Sequence, residues 1–394
     1  MNWLSVLFAL DMLNLAIFLP VFSPFIRSIG ATPFTLGLIN SASALVSLLW
    51  NPIVGSLSDQ IGRKRLLITC LIASATGSII MASSTSLLVV AVGKLFGAMG
   101  TPVGILLRST VADVYESPEA KILFFSRSAS IMQVAFLVGS LSSGFLSETK
   151  HGFTLAFLFM ACIMGVAAII ANKTVNEDNK LQSAKKDISF TSTAIANMKS
   201  AIINIKTINW PKYKYLFYVK GCYDFSIATI ITNVGFLLLN EYNVKGRTIG
   251  YVFVMISICR IVSSRLKLKL KNVLLNISDT NKIVAASLLL LISYTILSIS
   301  NSLGLFLVVL ALMSIARAFM DTTLTEIITT RTTQDDRGKV IGAFENLYSF
   351  AMFVAPVLSG VVAELFGQRL LIGSATVPIS IALYAALKEN QKTE

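Results

Sequence analysis

Twelve long apolar stretches constrain this chain more than any other feature of it. Their cores lie near 4–26, 34–57, 66–84, 87–110, 122–146, 153–171, 214–239, 249–264, 282–300, 303–328, 340–363 and 370–387. A helix needs about 20 apolar residues to cross a bilayer, so twelve crossings use roughly 240 residues and leave about 150 for loops and ends. Hydrophobic residues make up 55% of the 394 and charged residues 13%, against roughly 25% charged in a soluble domain. The mean hydropathy of +0.75 agrees. Disordered, collagen-like, coiled-coil and soluble-enzyme readings are set aside. The expected fold is an all-α membrane protein of twelve transmembrane helices. The first stretch lacks the basic start and small-residue cleavage site of a secretory leader, so a retained helix is expected there.

Basic residues set the expected orientation. Arg63, Lys64 and Arg65 follow the second span and Lys121 precedes the fifth. Lys185, Lys186, Lys199, Lys206 and Lys212 separate the sixth from the seventh. Arg265, Lys267, Lys269 and Lys271 follow the eighth, and Arg331, Arg337 and Lys339 the tenth. With twelve spans drawn, all of these fall on one side, while residues 83–86 and 301–302 on the other are nearly uncharged. The positive-inside rule then puts both termini and the middle loop in the cytoplasm. A net charge of +13 spread in this way suits anionic lipid faces, not nucleic acid. The polar stretch 173–210 reads as a linker, or as a linker holding a short surface helix. The expected organisation is an N-terminal six-helix bundle over 1–172, a cytoplasmic linker over 173–212 and a C-terminal six-helix bundle over 213–394. A weak internal repeat supports two related halves: Ser143-Gly144 followed by Glu148 returns as Ser359-Gly360 followed by Glu364.

Charges inside the spans carry the chemistry. Translocon scales put one at a helix centre at ~2.5–3.5 kcal/mol, and such groups face a cavity or a partner. Asp11 lies in span one with Asn14 a turn further on, Lys94 in span four, Lys220 and Asp224 in span seven and Arg260 in span eight. Arg317 and Asp321 lie in span ten and Glu345 in span eleven. A spacing of four puts Lys220 with Asp224, and Arg317 with Asp321, on one helix face. Two readings follow. Asp11, Asp224 and Asp321 take up protons or meet a cationic solute, with Lys94 and Arg317 as counter-charges; or the two spaced pairs are closed ion pairs holding helices in register. Asp11 has no partner near it in sequence, which favours the first reading there. Pro20 and Pro356 are candidate kinks. Cys70, Cys162, Cys222 and Cys259 have no metal or redox spacing and read as packing residues. One histidine on a loop, no HExxH and no P-loop leave no enzyme, metal or cofactor expected.

After span two the chain reads Gly55-Ser56-Leu57-Ser58-Asp59-Gln60-Ile61-Gly62-Arg63-Lys64-Arg65. Glycines 55 and 62 suit a sharp turn or a close helix approach, and Asp59 at a helix end suits an acceptor for Arg63 or a cap. The segment resembles the signature loop of the major facilitator superfamily, glycine-x-x-x-aspartate-x-x-glycine-arginine-lysine. That resemblance implies two six-helix bundles, with Gly55, Asp59, Gly62, Arg63 and Lys64 forming a cytoplasmic gate in which Asp59 contacts span eleven. Further residues narrow it. Lys94, Arg108 and Asp113 lie in span four and beyond; Asp224, Asn233, Tyr242 and Gly246 follow from span seven; Arg317, Thr322 and Thr325 lie in span ten and Ala355 to Gly360 in span eleven. These resemble the animal branch around major facilitator domain-containing protein nine and the tetracycline-resistance-like, organic-cation-transporter-like solute carriers.

Two departures stand out. The family places an arginine where this chain has Lys94, which unlike arginine can lose its proton when buried. Its antiporter signature, glycine-proline-x-x-glycine-glycine, appears only as Gly139-Ser140-Leu141-Ser142-Ser143-Gly144. The resemblance implies a secondary active transporter moving a small organic solute, a hydrophobic cation or drug-like molecule, by proton-coupled alternating access. An uncoupled facilitator and a non-transporting scaffold or receptor are the competing readings. Asp11, Asn14, Lys94, Asp224, Arg317 and Asp321 are the coupling or binding candidates, and Arg108, Asp113, Gly139, Gly144 and Pro356 the secondary gate or kink candidates. A monomer in the plasma membrane or an endomembrane is expected, with solute, protons and lipid as its partners.

Overall fold

The structure is a computed structural model that describes residues 3–115, 117–175, 208–270, 276–332 and 337–393. Every regular element among the described residues is a helix. Twelve are long and apolar enough to cross a membrane. Spans one to three are Trp3–Ser28, Pro33–Ile61 and Arg63–Ala82. Span four is two helices, Leu87–Ala98 and Val103–Val114, and spans five and six are Pro118–Leu146 and Gly152–Thr174. Spans seven to eleven are Trp210–Glu241, Gly246–Lys269, Asp279–Ile299, Leu303–Arg331 and Arg337–Phe366, and span twelve is Gln368–Ser374 with Thr376–Thr393. Large apolar side chains lie on the outside of the spans, among them Leu88, Ile122, Ile299 and Leu365 at 69–76% exposed. Such a surface suits acyl chains as its solvent.

Local chemistry sets the ends. Ser86, Ser117 and Ser278 accept from the main-chain N–H of Val89, Ala120 and Asn281, capping spans four, five and nine. Gly30, Gly62 and Gly367 turn the chain at φ +89°, +97° and +87° between consecutive helices. Span four breaks at residues 99–102, before Pro102. There the Trp50 indole N–H donates to the Met99 carbonyl (3.0 Å) and the Thr101 hydroxyl to Asn51 Oδ1 (2.9 Å), satisfying groups that the break exposes. One expectation is corrected, at span seven, whereas span eight runs unbroken through Arg260. Span seven starts at Trp210, inside the stretch read as linker, because Pro211 fits the first turn of a helix. The surface helix considered for that stretch lies outside the described residues.

The chain divides into two compact units. Unit 1 holds Met1–Ala31, Ala42–Ile202 and Lys245–Val254; unit 2 holds Thr32–Ser41, Ile203–Val244 and Met255–Glu394. Span two therefore starts in unit 2 and ends in unit 1, and span eight does the reverse.

Candidate functional site

In unit 1 the candidates gather on one stripe of span one. Asp11, Asn14, Phe18 and Phe22 recur every three or four residues and so share a helix face. A Cβ on Gly104 would sit 3.9 Å from Asp11 Oδ2, and Arg108, one turn beyond, is within electrostatic reach of the carboxylate. Asn14 Oδ1 is buried and has no partner among the described residues. Lys94 Nζ lies 3.7 Å from the ring centroid of Phe22 and 4.8 Å from that of Phe18, two rings stacked at 4.7 Å. Aromatic faces attract an ammonium in an apolar interior.

In unit 2 the two spaced pairs part company. Lys220 Nζ stands 2.5 and 2.7 Å from the two carboxylate oxygens of Asp224, with side chains 8% and 1% exposed. That pair is closed. Arg317 Nε is 3.8 Å from Asp321 Oδ2, while Asp321 Oδ1 accepts from the Tyr223 hydroxyl at 2.7 Å. Tyr223 also reaches the Arg317 main-chain oxygen at 3.2 Å. Arg260, Tyr294 and Tyr348 complete the electrostatic surroundings of Arg317. Spans seven to eleven thus each bring one polar side chain to it. A groove of about 480 Å³ starts at Asp321 and is lined further by Lys267, Thr322, Thr325, Glu326 and Thr329. Lys267 Nζ pairs with Glu326 (3.0 Å) and Thr322 (3.1 Å), and the hydroxyls of Thr325 and Thr329 donate to carbonyls one turn back.

The signature loop carries an ion pair that its sequence did not suggest, while the expected pairing of Arg63 with the Asp59 side chain lies outside the described residues. Gly62 makes the turn, and Arg63 donates to the Ser109 carbonyl and pairs with Asp113, at the end of span four. The Asp59 side chain, and with it the implied contact to span eleven, lies outside the described residues. Gly55 sits inside a helix rather than at a turn, and among the described residues a Cβ there would meet nothing within 4 Å. Lys64 makes no ion pair among the described residues.

The sequence repeat marks two matching contacts. In unit 1, a Cβ on Gly250 would lie 2.7 Å from Gly144 Cα and 2.8 Å from the Ser140 carbonyl, and Glu148 faces Arg247 at 3.9 Å. In unit 2, a Cβ on Gly360 would lie 2.8 Å from the Pro33 carbonyl, and Glu364 accepts from the Phe34 N–H at 3.1 Å. The Pro356 carbonyl blocks a side chain at Gly37, and Gly139 packs on Leu13 and Ala16 of span one. Two in-span charges went unremarked in the sequence, Arg127, exposed on span five, and Glu326, 59% exposed on span ten. Each stands out as a charge in an apolar run, the signal that found the others.

Comparisons with known proteins show the family and the fold. A family model described as Major Facilitator Superfamily matches residues 4–278 and 274–393. The quinolone resistance protein NorA of Staphylococcus aureus (strain MRSA252) is 26% identical over 171 residues, 43% of this chain and 42% of its own length. The chain thus matches less than half the length of that curated relative. Among solved structures, the human organic anion transporter MFSD10 aligns with a TM-score of 0.69 at 18% identity, covering 98% of both chains. A bacterial homologue of the human lysosomal transporter Spinster aligns with a TM-score of 0.79 at 12% identity, covering 99% of this chain and 96% of its own.

Proposed function

Because the chain belongs to the major facilitator superfamily, we propose that it is a secondary active transporter that carries a small organic solute across a membrane by proton-coupled alternating access. The observation that carries this reading is the set of in-span charges at protein surfaces: Arg108, Arg127, Arg260, Asp321 and Glu326 are each exposed or half-buried within membrane-crossing helices. Acyl chains do not solvate such groups, so they face a water-filled path. Asp11 beside Arg108, and Asp321 beside Arg317, are the carboxylates available to exchange protons along it. Arg63 with Asp113 belongs to the cytoplasmic gate together with Gly55, Asp59, Gly62 and Lys64, and the glycine contacts of Gly139, Gly144 and Pro356 to the opposite end. The basic loops favour cytoplasmic termini. Two bundles, 1–172 and 213–394, joined by 173–212, are the moving parts of a monomer.

NorA is a quinolone resistance protein and MFSD10 an organic anion transporter, so quinolones and organic anions are the first solute classes to test. The hydrophobic cation and the animal solute-carrier branch suggested by sequence stand beside them as proposals. The deciding experiment is solute uptake into proteoliposomes with and without an imposed pH gradient. Proton coupling requires accumulation that collapses when the gradient is dissipated and is lost in Asp11→Asn. Equal uptake in both conditions makes the protein an uncoupled facilitator, and no uptake of any solute favours a receptor or scaffold.

A further inference from the structure

We infer that Arg317 and Arg260 hold the anionic end of the carried solute, a carboxylate. This rests on the transporter reading and names the chemistry of its unit 2 site.

Arg317 lies midway along Leu303–Arg331, about 21 Å from either end at 1.5 Å per residue, too deep to reach an interface. A guanidinium carries five N–H donors and cannot neutralise itself by losing a proton. Among the described residues none of those donors meets an acceptor. The closest carboxylate oxygen stands 3.8 Å from Nε, outside hydrogen-bond range, and the other oxygen of Asp321 is engaged by Tyr223. Arg260, exposed on span eight and within electrostatic reach of Arg317, likewise donates no side-chain hydrogen bond among the described residues.

Arg317 and Arg260 face the Asp321 carboxylate, while Lys220 is matched with Asp224 and Lys267 with Glu326, and Glu345 of span eleven lies within electrostatic reach of Asp224. The buried Tyr294 hydroxyl lies beside the Ser226 hydroxyl, which donates to the Ala375 carbonyl (3.0 Å). Unmatched donors on a charged group in the middle of a membrane helix are expensive. A carboxylate supplies two oxygens in the geometry of the guanidinium fork. A cation would have to stand beside Arg317 and Arg260, and Asp321 Oδ1 is already engaged by Tyr223.

The test uses the purified full-length protein and three size-matched probes, benzoate, benzamide and benzylammonium, with binding read by isothermal calorimetry. Benzoate should bind at least tenfold tighter than benzamide, and benzylammonium least well. Arg317→Lys, which keeps the charge but loses the fork, should weaken benzoate about tenfold, and Arg260→Gln, at an exposed position, should weaken it severalfold without altering thermal stability. Preference for benzylammonium, no preference among the three, or unchanged benzoate binding in both variants overturns the inference. Counterflow of labelled benzoate in proteoliposomes separates the two layers of the argument. Binding without counterflow sinks the transporter reading, and counterflow of another solute by a protein indifferent to benzoate sinks only the carboxylate site.

Discussion

At the scale of single residues, identical spacing produced two different outcomes. Lys220–Asp224 and Arg317–Asp321 are both four apart, yet the first is sealed in the core and the second is opened by Tyr223. No reading of the chain alone distinguishes them, because the deciding hydroxyl comes from another helix, 98 positions away in sequence from Asp321. The closed pair makes a stability prediction. Removing one partner, as in Lys220→Met or Asp224→Leu, strands a buried charge and should cost about 3–5 kcal/mol, while the double replacement should recover most of it. Thermal unfolding in detergent of the two single variants and the double variant measures this; equal losses in all three contradict it. A contrasting case is Gly104, whose added Cβ would meet only Asp11 Oδ2 at 3.9 Å. Gly104→Ala should be neutral or stabilising by up to about 1 kcal/mol, and a marked drop in melting temperature would show the space around Asp11 to be tighter than described.

At the scale of helices, most of the architecture was legible. Hydropathy alone located all twelve spans, since a membrane helix must be apolar along some 20 residues regardless of its neighbours. The faint Ser-Gly and Glu repeat proved to mark two equivalent packings, Gly144 on Gly250 and Gly360 on Pro33. The break in span four and the acceptors of Arg63 were not legible, because both depend on groups from other elements: Trp50 and Asn51 at the break, Ser109 and Asp113 at the loop. Gly144→Val or Gly360→Val forces new atoms against main chain and should cost about 1–3 kcal/mol by overpacking. Gly55→Val, where no neighbour stands within 4 Å, should cost less than either. Melting temperatures of the three variants check the order, and a Gly55 variant that is the least stable reverses it.

At the scale of the whole molecule, spans two and eight each pass from one unit to the other. Any rearrangement of the units must bend those spans or release the stretches Thr32–Ser41 and Lys245–Val254 from their present packing. Release is the course that the small residues permit, since their contacts separate and re-form without interlocked side chains. Alternation is a shift between states a few kcal/mol apart, so changes of this size at the glycine contacts should tilt it. The most direct measurement needs no known solute. A single cysteine is placed at Asn14, beside Asp11, with Cys70, Cys162, Cys222 and Cys259 replaced, and its labelling by a membrane-impermeant thiol reagent is followed in right-side-out and in inverted vesicles. Alternating access requires labelling from both sides, with Gly144→Val shifting the ratio of the two rates. Labelling confined to one side, unchanged by that substitution, would contradict the account.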